Sequence, residues 1–240
     1  MNVPKIAIIL TTVAALVIVG LVATKLQWQQ VFSPPTSHWI AVPYSSQSPD
    51  GVWAEPWENA CEETTITMLN AYYKHDKRAQ IPNQEAKDSI TAIINWEKNN
   101  LGFAKDTGAA DTKKIIDALY KWEAKIIYNP SLDSIKNELY HNRPVVLLVH
   151  GTSLKNPHFV DGGPNYHMLL AVGYDDKTQE FITHEPGMNN GQDFRYPYAT
   201  IMTALHDYVA DLKTETGTPV VLFTHSWPKG INTLILPLSN

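Results

Sequence analysis

The chain holds one cysteine, Cys61, which excludes an intramolecular disulfide and any zinc site built from several thiolates. Cys61 falls just inside a predicted helix start. Asn59 reads as its N-cap with Glu62 reciprocating, and Cys61, Thr65, Met68 and Tyr72 recur on one face over about Ala60 to Tyr73. Unpaired backbone N–H groups and the positive end of the helix dipole there favour thiolate over thiol, which is the nucleophilic form. A lone cysteine also serves as a small buried hydrophobe, so other groups must decide between the two roles. His167 and Glu185 are those groups. His167 opens the apolar run Met168 to Tyr174, where a strand can hold a titratable ring at the domain surface. Glu185 follows 18 residues later, beside the same strand end if a hairpin closes at Asp175-Asp176. Such a carboxylate fixes the imidazole tautomer through one ring nitrogen while the other faces the thiol.

Other residues offer rival chemistry. His150, His158, His167 and His184, with Asp161 and Glu185, supply nitrogen and oxygen ligands for zinc but show no recognised metal-binding spacing, so no metal or other cofactor is expected. His184 alternates with Thr183 and Glu185 along a strand and should point away from Cys61. Trp53 and Trp57 lie in a loop with Pro56 ahead of Cys61 and are candidates to line a substrate cleft.

The elements that must position these groups are legible in part. Helical periodicity dominates up to about His141 and short β-rich runs from Pro144 onward, an α+β order of helices first and sheet second. Asn83, Asp111 and Ser131 mark further helix starts. Pro144 to Val149 reads as a buried strand, His167 to Tyr174 and Glu180 to His184 as a hairpin, and Pro219 to Phe223 and Ile231 to Leu236 as two more strands.

With 240 residues, 44% of them hydrophobic, the chain is long enough for one sizeable core. Nineteen basic against 24 acidic residues give a net charge of −5, so no basic field exists to hold a phosphate backbone and nucleic acid is not an expected partner. Residues Ile6 to Thr24 carry no charge, and as a helix they would span about 28 Å, close to the ~30 Å hydrocarbon core of a bilayer. The expected organisation is an N-terminal membrane anchor over 1–25, with a signal peptide as the other reading, a proline-stiffened linker over 26–37, and a folded domain over 38–240 on the extracytoplasmic side.

Taken together, Gln47 in the run Val42 to Gln47, the block Ala60 to Tyr73, Tyr166-His167 with Val172 to Asp175, and Glu185-Pro186-Gly187 resemble the peptidase C-thirty-nine-like domain. That is a papain-like cysteine peptidase domain related to the bacteriocin-leader (double-glycine) peptidases. The stretches Phe194 to Tyr198 and Leu205 to Tyr208 are similar to a membrane-anchored bacterial branch of it, and the resemblance covers about residues 40–225. It implies a papain-like α+β fold, with a helical N-terminal half and an antiparallel β-sheet C-terminal half, preceded here by one transmembrane helix. It makes Cys61 the nucleophile, His167 its general base and later acid, and Gln47 an oxyanion-hole donor beside the Cys61 backbone N–H. Glu185 stands where the family usually has aspartate, and the gap of 14 from Gln47 to Cys61 is longer than usual. The expected activity is hydrolysis of peptide bonds through a Cys-His-Glu triad and a thioester, by a single-pass membrane protein acting on a peptide or protein substrate. A thiol-dependent cell-wall amidase or acyltransferase, and a catalytically inactive peptide-binding domain, are the alternatives on the same scaffold.

Overall fold

The computed structural model describes residues 34–209 and 217–226. The expected anchor, most of the linker and the run Ile231 to Leu236 lie outside these residues. Among the described residues no helix is long and apolar enough to cross a membrane.

In chain order the elements are β1 (Ser37–Trp39), α1 (Cys61–Tyr73), α2 (Asn83–Asn100), α3 (Ala109–Leu119), β2 (Trp122–Tyr128), α4 (Leu132–Tyr140), β3 (Val145–Val149), β4 (His167–Asp175), β5 (Glu180–His184), β6 (Phe194–Pro197), α5 (Tyr198–Ala204) and β7 (Val220–Ser226). The strands form one antiparallel sheet in the order β2-β7-β3-β4-β5-β6, with β1 pairing on the far half of β4. β3 is buried along its whole length, as its unbroken apolar run requires of a central strand. Burying each such Val or Leu is worth about 1.5–3 kcal/mol. β1 can lie against β4 because position 173 is glycine: a Cβ there would meet the His38 carbonyl and the Trp39 Cα.

Three expectations need correction. β2 lies between α3 and α4, so the N-terminal half is not wholly helical. Its alternation of buried Trp122 and Ala124 with exposed Glu123 and Lys125 is a strand signature within the stretch read as helical. The helix starts at Cys61 with Ala60 at the cap position, and Asn59 makes no cap; its amide donates to Glu55 Oε1 at 2.8 Å instead. Asn83 and Asp111 likewise do not cap: α2 follows Pro82, and α3 receives its cap from a distant residue, Asp207 Oδ1 accepting from the Ala109 N–H at 2.9 Å. Ser131 does cap α4, through Ser134 N–H at 3.1 Å.

The expected single apolar face of α1 is also too narrow. Residues Cys61 through Leu69 are buried without interruption, because the helix runs between α2 on one side and β4 on the other. This burial sets the electrostatics of the site.

Candidate active site

His167 opens β4 and Glu185 follows the last residue of β5, so the hairpin delivers both to one end of the sheet. His167 Nε2 lies 2.5 Å from Glu185 Oε1. The same oxygen accepts the Gly187 backbone N–H at 2.8 Å, and Oε2 accepts the Tyr196 hydroxyl at 2.9 Å. Tyr196 is itself fixed by the Asn156 amide at 2.7 Å. The backbone around Glu185 is held by the Tyr44 hydroxyl, which donates to Glu185 O, and by Gly191 O, which accepts the Glu185 N–H. Glu185 is fully buried, and its three donors offset the cost of burying a carboxylate. Glycine at 187 fits closely: a Cβ there would press on Glu185 Oε1 at 3.1 Å and on the His167 ring at 3.2 Å. The Phe159 ring meets the imidazole edge-on at 5.5 Å between centroids.

His184 does turn away, as the strand alternation predicts. Its Nε2 donates to Val42 O at 2.8 Å, Nδ1 accepts from the Asp193 N–H, and burial holds the ring below the usual imidazole range. Among the described residues no group of three or more His, Cys, Asp or Glu could hold a metal ion.

Cys61 is the first residue of α1, with a backbone N–H that has no intrahelical acceptor. The side chain does not behave as the helix dipole alone would have it. Burial, and then the neighbouring Glu62 carboxyl, push the thiol well above its ordinary range, opposed by the Met168 N–H facing the sulfur. Sγ lies 3.0 Å from Glu62 Oε2. No hydrogen bond joins Cys61 to His167 in this arrangement, although both border one cleft of about 890 Å³.

Gln47 borders the same cleft, and its backbone N–H donates to Pro186 O, next to Glu185. Its side-chain amide donates to Trp57 O at 2.9 Å and Glu58 O at 3.0 Å, the carbonyls of the 3₁₀ turn Trp57–Asn59 that leads into Cys61. Both amide hydrogens are thereby engaged, and Oε1 is buried without a partner. Of the two tryptophans, Trp53 borders the cleft with 42% of its surface exposed. Trp57 does not; it packs on Ala60, Ile90 and Ile94, because the turn that carries it faces α2.

Glu62 is the functional candidate that sequence reasoning missed, having been assigned to a capping box. A signal existed: Glu62 and Glu63 open a helix that is buried all round, and such carboxylates need partners. Glu63 instead lies beside Glu97 of α2: burial and then the Glu97 charge drive Glu63 far above its ordinary value, while burial, and then repulsion from Glu62, opposed by Glu63, raises Glu97 to about 7.

Residues 39–224 match the profile of the Peptidase_C39 like family, and the chain belongs to that family. Among solved structures, a candidate C39-like peptidase from Bacillus anthracis is similar in fold, with a TM-score of 0.50 and 12% identity over 78% of this chain and 96% of the other. Xylellain, a cysteine protease from Xylella fastidiosa, gives a TM-score of 0.38 and 16% identity over 80% of this chain and 86% of its own. No curated protein matches the sequence.

Proposed function

We propose that the protein is a cysteine peptidase in which Cys61 attacks a peptide carbonyl, His167 moves the protons and Glu185 orients His167. The observation that carries this reading is that a cysteine at a helix start borders the same cleft as a histidine whose Nε2 is held by a buried carboxylate. With Nε2 engaged, Nδ1 is the nitrogen left to accept the thiol proton. The thiolate bonds to the carbonyl carbon, and the oxyanion is received by the Cys61 N–H and by the Gln47 amide, which exchanges one turn carbonyl for it. Collapse expels the amine, which leaves with the proton from His167. Water, deprotonated by His167, then hydrolyses the thioester.

The cleft also favours a class of peptide. Phe159, Val160 and Met188 give it an apolar wall, with Val160 83% exposed, while Glu58 and Asp106 add carboxylates and, among the described residues, no lysine or arginine borders it. The preferred substrates carry an apolar and a basic side chain close to the cut. Residues 1–25 are proposed to tether the domain outside the cell membrane, so that protease shaving of intact cells would release it.

Digestion of a mixed peptide pool, read by mass spectrometry, tests the activity. Cuts flanked by apolar and basic residues, absent with Cys61→Ala, are expected. Equal cutting by Cys61→Ala would overturn the reading, and cuts confined to acidic contexts would overturn the substrate class alone.

A further inference from the structure

Glu62 is 2% exposed and touches the sulfur that the proposed reaction uses. Its Oε1 accepts the Thr107 backbone N–H at 3.0 Å. Thr107 O in turn accepts the hydroxyl of Tyr166, the residue before His167, at 2.9 Å. The carboxyl is therefore pinned between the nucleophile, the loop ahead of α3 and the start of β4. Because Oε1 is occupied by an N–H, a proton on Glu62 must reside on Oε2, the oxygen 3.0 Å from Sγ.

We propose that Glu62 is a catalytic residue that works in its protonated form, its Oε2–H donating a hydrogen bond to the Cys61 thiolate once His167 has taken the thiol proton. The inference rests on the peptidase reading. The thiol proton passes to His167 Nδ1 and later leaves with the amine; Glu62 keeps its own proton throughout. An ionised Glu62 would instead set a negative charge against the thiolate in a buried site, where such repulsion is strong.

The surroundings keep the carboxyl neutral. Glu63 on the same helix, Glu97 of α2 and Asp106 of the loop ahead of α3 are all acidic, and Tyr166 faces Glu62 from the start of β4. Lys105, next to Asp106, is exposed and paired with Glu55. Burial and the Glu63 charge raise the Glu62 carboxyl to about 8. At neutral pH the donor is in place, and above that range it is lost.

The test is the rate of Cys61 alkylation by iodoacetamide across pH 5–10, on the full chain, for wild type, E62Q and E62L, with infrared spectra of the wild type before and after alkylation. The amide in E62Q cannot ionise and still donates, so its alkaline limb is expected about one pH unit above that of wild type, whereas E62L is expected to lose about tenfold or more at pH 7. In the wild type at pH 7, alkylation should shift the C=O band of a protonated carboxyl, a readout independent of how the variants fold. An unshifted carboxyl band, or identical alkaline limbs in wild type and E62Q, would overturn the role of Glu62 and leave the peptidase reading intact. A wild-type Cys61 that iodoacetamide does not alkylate would overturn both.

Discussion

Glu185 receives His167 Nε2 and the Gly187 N–H on one oxygen and the Tyr196 hydroxyl on the other, so the carboxylate is fixed from both sides before it orients the ring. A carboxylate held by three donors has little freedom, and it engages Nε2, leaving Nδ1 as the ring nitrogen Glu185 does not hold. Gly187 reaches Glu185 Oε1 because β5 ends at His184 and the following Pro186-Gly187 turn curls the chain back over the Glu185 side chain.

Replacing Glu185 should therefore damage rate more than binding. Glu185→Gln is expected to lower kcat by about 10² to 10⁴ at neutral pH, with KM little changed, through a wrong tautomer or a lost imidazolium partner. Glu185→Asp should fall between, since a shorter side chain cannot reach His167, Gly187 and Tyr196 together. Rates for Glu185→Gln within about twofold of wild type would transfer the role to Asn165, which borders the cleft, or to Asp161.

Gln47 is expected to have two separable effects. Loss of its amide leaves Trp57 O and Glu58 O without their donor, so Gln47→Ala should lower the thermal midpoint by a few degrees, for about 1–2 kcal/mol. As an oxyanion donor it should also cost about 10² to 10³ in kcat. A changed midpoint with an unchanged kcat would assign Gln47 to the turn alone.

The buried acidic pair gives a stability signature. Glu63 and Glu97 titrate higher in the folded than in the unfolded chain, so the folded state holds more protons between about pH 4.5 and the folded values. That contribution is complete below the unfolded carboxylate range and is lost as pH rises through about 7 for Glu97. Thermal midpoints measured from pH 5 to 9 should therefore fall with pH on this account, and Glu97→Gln should flatten the fall. A steeper fall in Glu97→Gln would contradict it.

How much of this was legible beforehand differs between elements. β3 and the β4–β5 hairpin were readable because unbroken apolar runs between turn residues leave little choice. The meeting of His167 and Glu185 follows from that hairpin. β2 was hidden because seven residues between two helices carry alternation too short to outweigh the helical neighbours. The environment of Cys61 was hidden for another reason: Asn59 and Glu62 satisfy the local capping pattern, yet Thr107, far along the chain, claims one oxygen of Glu62 only once the chain has folded, and the other oxygen then faces the adjacent thiol. Trp57 likewise could face either the cleft or α2, and only packing on Ile90 and Ile94 decides.

The central claim is that Cys61 becomes nucleophilic through His167 and not through the helix start alone, given that burial holds the resting thiol neutral. Labelling by an epoxysuccinyl peptide probe, compared between wild type and His167→Ala at pH 7 and located by mass spectrometry, tests this most directly. The account predicts labelling confined to Cys61 in the wild type and slowed by about 10² or more in His167→Ala, with the fold retained. Equal labelling of the two proteins, or a wild-type Cys61 that stays unmodified, would contradict it.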